Sequence, residues 1–136
     1  MKNPLRIAIL AGGIFNLLFS LFHVYLCYQL YQIYGTMPIY PLLQMFSIVG
    51  TIMIFFLAYT SLCCPTELLS TNAGLAVVVL NILVYLSRVI GEIVLFPQPM
   101  SIIIATCLLM TLIYGYVLVE GIRDRNSEQN IAAIAG

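Results

Sequence analysis

The sequence predicts an all-α integral membrane protein, an antiparallel four-helix bundle that runs up, down, up and down with both termini in the cytoplasm. Of its 136 residues, 62% are hydrophobic and only 7% are charged, whereas an ordinary soluble domain is about 25% charged. Four apolar segments each approach the roughly 20 residues that span a bilayer. Every Lys and Arg except Arg88 lies close to one end of the chain.

Residues 1–136 are predicted to form one membrane domain, and prolines mark where its spans begin and end. Pro38 and Pro41 separate the first two spans, Pro65 ends the second, and Pro97 and Pro99 separate the last two. The predicted spans are about 7–34, 42–63, 73–96 and 100–122.

Two polar segments complete the predicted layout. The first, residues 65–72, is expected to be a loop with Ser70, Thr71 or Asn72 as the N-cap of the third span. The second, residues 123–136, is expected to be a short polar cytoplasmic tail whose last residues are frayed or loosely helical.

The cations predict the orientation. Lys2 and Arg6 precede the first span, and Arg123 and Arg125 follow the fourth, while neither short turn carries a Lys or Arg. Because positive residues favour the cytoplasmic side, both termini are predicted to lie there. The predicted location is the cell's inner or plasma membrane, with an organelle membrane as the alternative.

Two spans carry polar residues at matching helical spacing. In each, four side chains fall at positions i, i+4, i+7 and i+11, which share one helix face. They are Asn16, Ser20, His23 and Cys27 in the first span, and Asn81, Tyr85, Arg88 and Glu92 in the third. The two faces are predicted to meet in a polar seam.

The ionisable members of these faces form the candidate site. His23, Arg88 and Glu92 are predicted to cluster in the outer half of the bundle, with Asn16, Asn81 and Tyr85 completing a ligand-binding set. Charged groups inside a membrane are costly and mark functional sites by default. The alternatives are that Arg88 and Glu92 form only a packing ion pair, and that His23 donates to Asn81, Tyr85 or a carbonyl.

Composition argues against several classes of function. Net charge is zero without a basic patch, which speaks against nucleic-acid binding. One histidine and four scattered cysteines do not form a zinc motif, and no cofactor is predicted. No nucleophile elbow, phosphate loop or carboxylate pair predicts a catalytic centre, so a non-enzymatic role is favoured.

The layout resembles the small four-helix membrane proteins grouped as DoxX-like. The resemblance is carried by four spans in about 130 residues, a basic residue before the first span, and the arginine of Leu86-Ser87-Arg88 within the third. It covers the whole chain and implies the fold. It implies little about function, because the roles of those families are mostly unknown.

Three functions are therefore expected, in decreasing order. The first is a membrane-complex subunit or interaction protein, with the lipid bilayer and either a protein partner or a second copy of itself as partners. The second is an oligomeric transporter or channel-like protein that holds a small anion, a proton or a lipid headgroup at Arg88, Glu92 and His23. The third is a redox or lipid-modifying membrane enzyme.

Overall fold

The chain folds into helices joined by short connections. The structure, a computed structural model, describes the backbone of residues 3–135 and the side chains of residues 4–127; Lys2, one of the cations used to predict orientation, lies outside this part. No strand occurs within it. The helices are α1 (Asn3–Tyr34), α2 (Tyr40–Cys63), α3 (Pro65–Ser70), α4 (Asn72–Leu95) and α5 (Ser101–Ala135).

Four of these helices are long and apolar enough to cross a bilayer, which indicates a multi-pass membrane protein. The segments that meet this criterion are Pro4–Tyr34, Tyr40–Cys63, Asn72–Leu95 and Ser101–Ser127. Large apolar side chains cover their outward faces; Phe55 and Leu112, for example, are exposed. Such faces are stable only against lipid, because water would leave too much apolar surface unburied.

The connection between the second and third spans is more ordered than a loop. Residues 65–70 form the short helix α3, with Pro65 in its first turn, and bury Leu68 and Leu69 against the bundle. Thr71 then caps α4, because its Oγ1 accepts a hydrogen bond from Gly74 N at 2.9 Å. Thr71 was one of the three predicted caps.

Helix α5 continues to Ala135, through the segment predicted as a polar tail. Residues 123–135 contain neither glycine nor proline, so nothing in the sequence stops the helix after the apolar stretch. The side chain of Arg125 ties this extension to the start of α4 by donating to Asn72 Oδ1 at 2.9 Å. The side chains of residues 128–136 lie outside the described part.

Helix α1 packs along α2 and contacts α5, and α4 packs along α5. Glycines allow the close contacts: a methyl group added at Gly12 would lie 2.8 Å from Tyr114 Cζ, and one at Gly13 would lie 2.8 Å from Leu62 Cγ. The backbones of α2 and α4 make no extensive contact. The bundle is therefore tightly packed along α1 and α5 and looser between α2 and α4.

Candidate intramembrane binding site

A hydrogen-bonded network of five buried side chains joins the four spanning helices. We call it the buried network; its members are Asn16 of α1, Ser61 of α2, Asn81 and Tyr85 of α4, and Tyr114 of α5. Each is at most 3% exposed. Polar groups at this depth must bond to one another, because lipid offers no partner.

Asn16 is the centre of the buried network. Its Nδ2 donates to Asn81 Oδ1 at 2.9 Å and to Tyr114 Oη at 2.8 Å. Its Oδ1 accepts from the hydroxyl of Tyr85. The hydroxyls of Ser61 and Tyr114 share a further bond of 2.9 Å. Both donors of the Asn16 amide and its carbonyl oxygen are thus used within the protein.

The remaining donor of Asn81 is also satisfied, because its Nδ2 donates to Val77 O at 3.1 Å. The amide and hydroxyl groups of the buried network are thus bonded to the protein itself. A network with its bonding capacity used internally orders helix packing and offers little to a ligand. Asn16 and Asn81, predicted as ligand-binding residues, are therefore placed where they hold the helices together.

A cavity of about 570 Å³, which we call the interhelical cavity, lies next to the buried network and is lined by α1, α2, α4 and α5. Its volume is in the range of pockets that hold small organic ligands. Most of its wall is apolar. The polar side chains that line it are His23, Ser47, Tyr85, Ser87, Arg88 and Cys107.

Three of the cavity's hydroxyl groups already have partners in the protein. Tyr85 donates to Asn16, Ser87 Oγ donates to Val84 O at 2.9 Å, and Ser47 Oγ lies 3.1 Å from Cys27 Sγ. The groups with bonding capacity to spare are those of Arg88 and His23.

Arg88 presents its guanidinium at the cavity while Glu92 stays behind it. Arg88 Nη2 lies 2.8 Å from Glu92 Oε2, and the two side chains are 47% and 2% exposed. This is a close ion pair that is not aligned as a hydrogen bond. The other carboxylate oxygen, Oε1, accepts from Met100 N at 3.0 Å, so Glu92 also ties α4 to the start of α5.

The Arg88 side chain extends toward the C-terminal end of α4. Its guanidinium reaches Glu92, one turn further along, and lies 5.7 Å from the ring centroid of Phe96, two turns further along. This direction lets a cation leave the middle of an apolar helix for a more polar depth, as long basic side chains do near membranes.

His23 lines the same cavity as Arg88, but it does not join the ion pair with Glu92. Its Nδ1 lies 3.0 Å from Phe19 O. A carbonyl oxygen can only accept, so Nδ1 carries the proton and Nε2 is left with a lone pair or a second proton. The predicted carbonyl partner for His23 is present, and the predicted three-residue cluster reduces to the Arg88–Glu92 pair.

Sequence reasoning did not identify Ser61 and Tyr114 as members of the buried network, or Met100 N as a partner of Glu92. Ser61 and Tyr114 belong to helices without a polar stripe, so periodicity gave no signal for them. Among the described residues, no group of three His, Cys, Asp or Glu side chains is placed to hold a metal ion.

Comparison with known proteins adds no relative. No protein-family model, curated protein or solved structure matches this chain.

Proposed function

We propose that this chain is a multi-pass membrane protein that takes a small apolar or amphipathic molecule from the bilayer and binds it in the interhelical cavity. The observation that carries the proposal is the cavity itself: about 570 Å³, mostly apolar, and lined by four helices that surround two side chains with bonding capacity to spare. The adjacent buried network keeps the helices apart at a fixed spacing and so supports a preformed site.

The side between α2 and α4 is the proposed route of access. These helices make no extensive backbone contact, and each contributes a glycine to the cavity wall, Gly50 and Gly91. A methyl group added at Gly50 would meet no atom within 4 Å, and one at Gly91 would meet only Leu95 Cδ1 at 4.0 Å. A ligand with an apolar body can therefore approach from lipid without first crossing water.

The proposed topology is up, down, up and down, with both termini in the cytoplasm. Contacts at one end of the bundle support it: Leu5 near the start of α1, Leu69 of α3 and Gly121 of α5 line one small cavity of about 150 Å³. Cys27 of α1 and Ser47 of α2 meet near the opposite ends of these chain segments. Arg6 and Arg123 then share one face of the membrane, as the positive-inside rule requires.

Photolabelling tests whether the cavity binds. The protein is reconstituted in lipid nanodiscs and labelled with decanol carrying a diazirine, and the labelled residues are mapped by mass spectrometry. We expect saturable labelling of cavity-lining residues such as Leu26 and Met53, which unlabelled decanol prevents. Gly50→Trp should abolish it, because the indole would occupy the cavity.

Gly115→Trp is the matched control. A methyl group added at Gly115 also meets no atom within 4 Å, but Gly115 does not line the cavity. This variant should label as the parent does. Labelling that never saturates, or that is equal in the Gly50→Trp and Gly115→Trp variants, contradicts the proposal.

Membership of a membrane complex, an oligomeric state and the DoxX-like resemblance stay predictions. The proposed site is closest to the expected transporter or channel-like protein, since both place a ligand near Arg88 and His23. We propose binding alone, because the cavity supports binding and does not by itself define a pathway across the membrane.

A further inference from the structure

We propose that the ligand of the interhelical cavity is a single-chain amphiphile of medium length with an anionic head, a carboxylate or a phosphate, bound by Arg88. This inference rests on the proposed function and names the ligand class of the same site. It follows from the charge of the cavity wall, the position of the cation, and the depth of the apolar part.

The cavity wall is complementary to an anion. Arg88 lines it and no acidic residue of the described part does so. Glu92 is 2% exposed, lies behind the guanidinium and does not line the cavity. A ligand in the cavity therefore meets a cation whose compensating charge is turned away from it.

The guanidinium retains donors for such a ligand. It carries five N–H donors in a planar fork that suits carboxylate and phosphate oxygens. Its one close acceptor among the described residues is Glu92 Oε2. Because Met100 N also donates to Glu92, the carboxylate keeps a hydrogen bond while Arg88 binds a second anion. Glu92 is thus a positioning residue that holds the guanidinium at the cavity.

The cation lies toward one end of the cavity and an apolar floor lies at the other. The rings of Phe19 and Tyr85, with centroids 5.8 Å apart, close the floor against the buried network. Glu92, which marks the level of the guanidinium, is two helical turns from Tyr85, or about 10.5 Å at 1.5 Å per residue. This depth is less than one leaflet of a hydrocarbon core about 30 Å thick, so it fits a medium-length chain better than a full-length one.

Competition for the photoprobe tests the ligand class. Decanoate, decyl phosphate and decanol, which share one chain length, are titrated against labelling of the cavity in nanodiscs. We expect the anions to compete at concentrations about tenfold lower than decanol, because a charge-assisted hydrogen bond to Arg88 is added to the same apolar contact. Comparing the two anions distinguishes a carboxylate from a phosphate headgroup.

The Arg88→Gln variant should remove the tenfold preference and leave competition by decanol unchanged. Because that variant strands Glu92, Arg88→Gln/Glu92→Gln is measured beside it and should behave identically toward the three competitors. Equal competition by anions and alcohol in the parent protein overturns the inference but leaves the proposed function intact. Absence of saturable labelling in the parent overturns both.

Discussion

At the scale of single residues, the polar groups within the membrane divide into those that bond to one another and those that face a cavity. Asn16 belongs to the first group, with three side-chain hydrogen bonds to three residues on two other helices. Arg88 belongs to the second, since its partner Glu92 is buried behind it. This division predicts different consequences for their substitution.

Replacing Asn16 with alanine should lower the free energy of unfolding by about 1–3 kcal/mol, because Asn81, Tyr85 and Tyr114 each lose a buried partner. Reversible unfolding in mixed micelles measures this change. Thr106→Ala is the control: its hydroxyl bonds only Ile102 O of its own helix, so its effect should stay within about 0.5 kcal/mol. Equal effects of the two substitutions would show that the buried network contributes no stability.

The Arg88–Glu92 pair should respond asymmetrically to substitution. Arg88→Ala leaves a carboxylate that is 2% exposed without its cation, whereas Glu92→Ala leaves a half-exposed cation that can turn toward solvent. Arg88→Ala should therefore be the more destabilising single change, and Arg88→Ala/Glu92→Ala should be more stable than it. The same unfolding assay decides this; additive losses in the double variant would exclude coupling.

The site could be predicted from sequence only where its residues repeat along one helix. Asn16, Asn81 and Tyr85 were found because they recur at helical spacing, and the structure joins them by hydrogen bonds. Tyr114 has the burial of an ordinary aromatic core residue and the sequence gives no sign of its polar partners. The interhelical cavity depends on which helices pack together, and a hydropathy pattern does not contain that information.

At the scale of helices, glycines set how closely α1 approaches its neighbours. Gly12 faces Tyr114, which the buried network fixes in place, while Gly13 faces the flexible end of Leu62. Gly115 faces open space. The three positions therefore differ in whether the neighbouring group can move.

Alanine substitutions should rank accordingly. Gly12→Ala should destabilise most, by about 1–3 kcal/mol, because Tyr114 cannot move without breaking bonds; Gly13→Ala should cost less. Gly115→Ala should be neutral or slightly stabilising, because alanine favours helix and meets nothing. Unfolding measurements on the three variants give the order, and a Gly12→Ala variant as stable as Gly115→Ala would contradict the packing described for α1 and α5.

The helices themselves were the easier part to predict, because apolar length and proline positions determine them. The short helix α3 was missed, since its six residues have no apolar periodicity long enough to detect. The extension of α5 was missed because polarity was taken as the end of the helix, although polar residues such as Arg125 and Glu128 are good helix formers.

At the scale of the whole molecule, topology is the open expectation. If both termini are cytoplasmic, green fluorescent protein fused after Gly136 should fluoresce, and alkaline phosphatase inserted after Gln98, in the turn between α4 and α5, should be active in a bacterial host. The inverse result at either site would contradict the positive-inside prediction.

The account as a whole depends on an anion reaching Arg88 inside the bundle. The Nε–Hε resonances of the arginines, recorded by NMR in nanodiscs and assigned with Arg88→Gln, test this most directly. Titration with decanoate should shift the Arg88 signal saturably and leave those of Arg6, Arg123 and Arg125 in place, while decanol should produce a smaller shift. An Arg88 signal that does not move, or that moves equally with decanoate and decanol, would contradict the account.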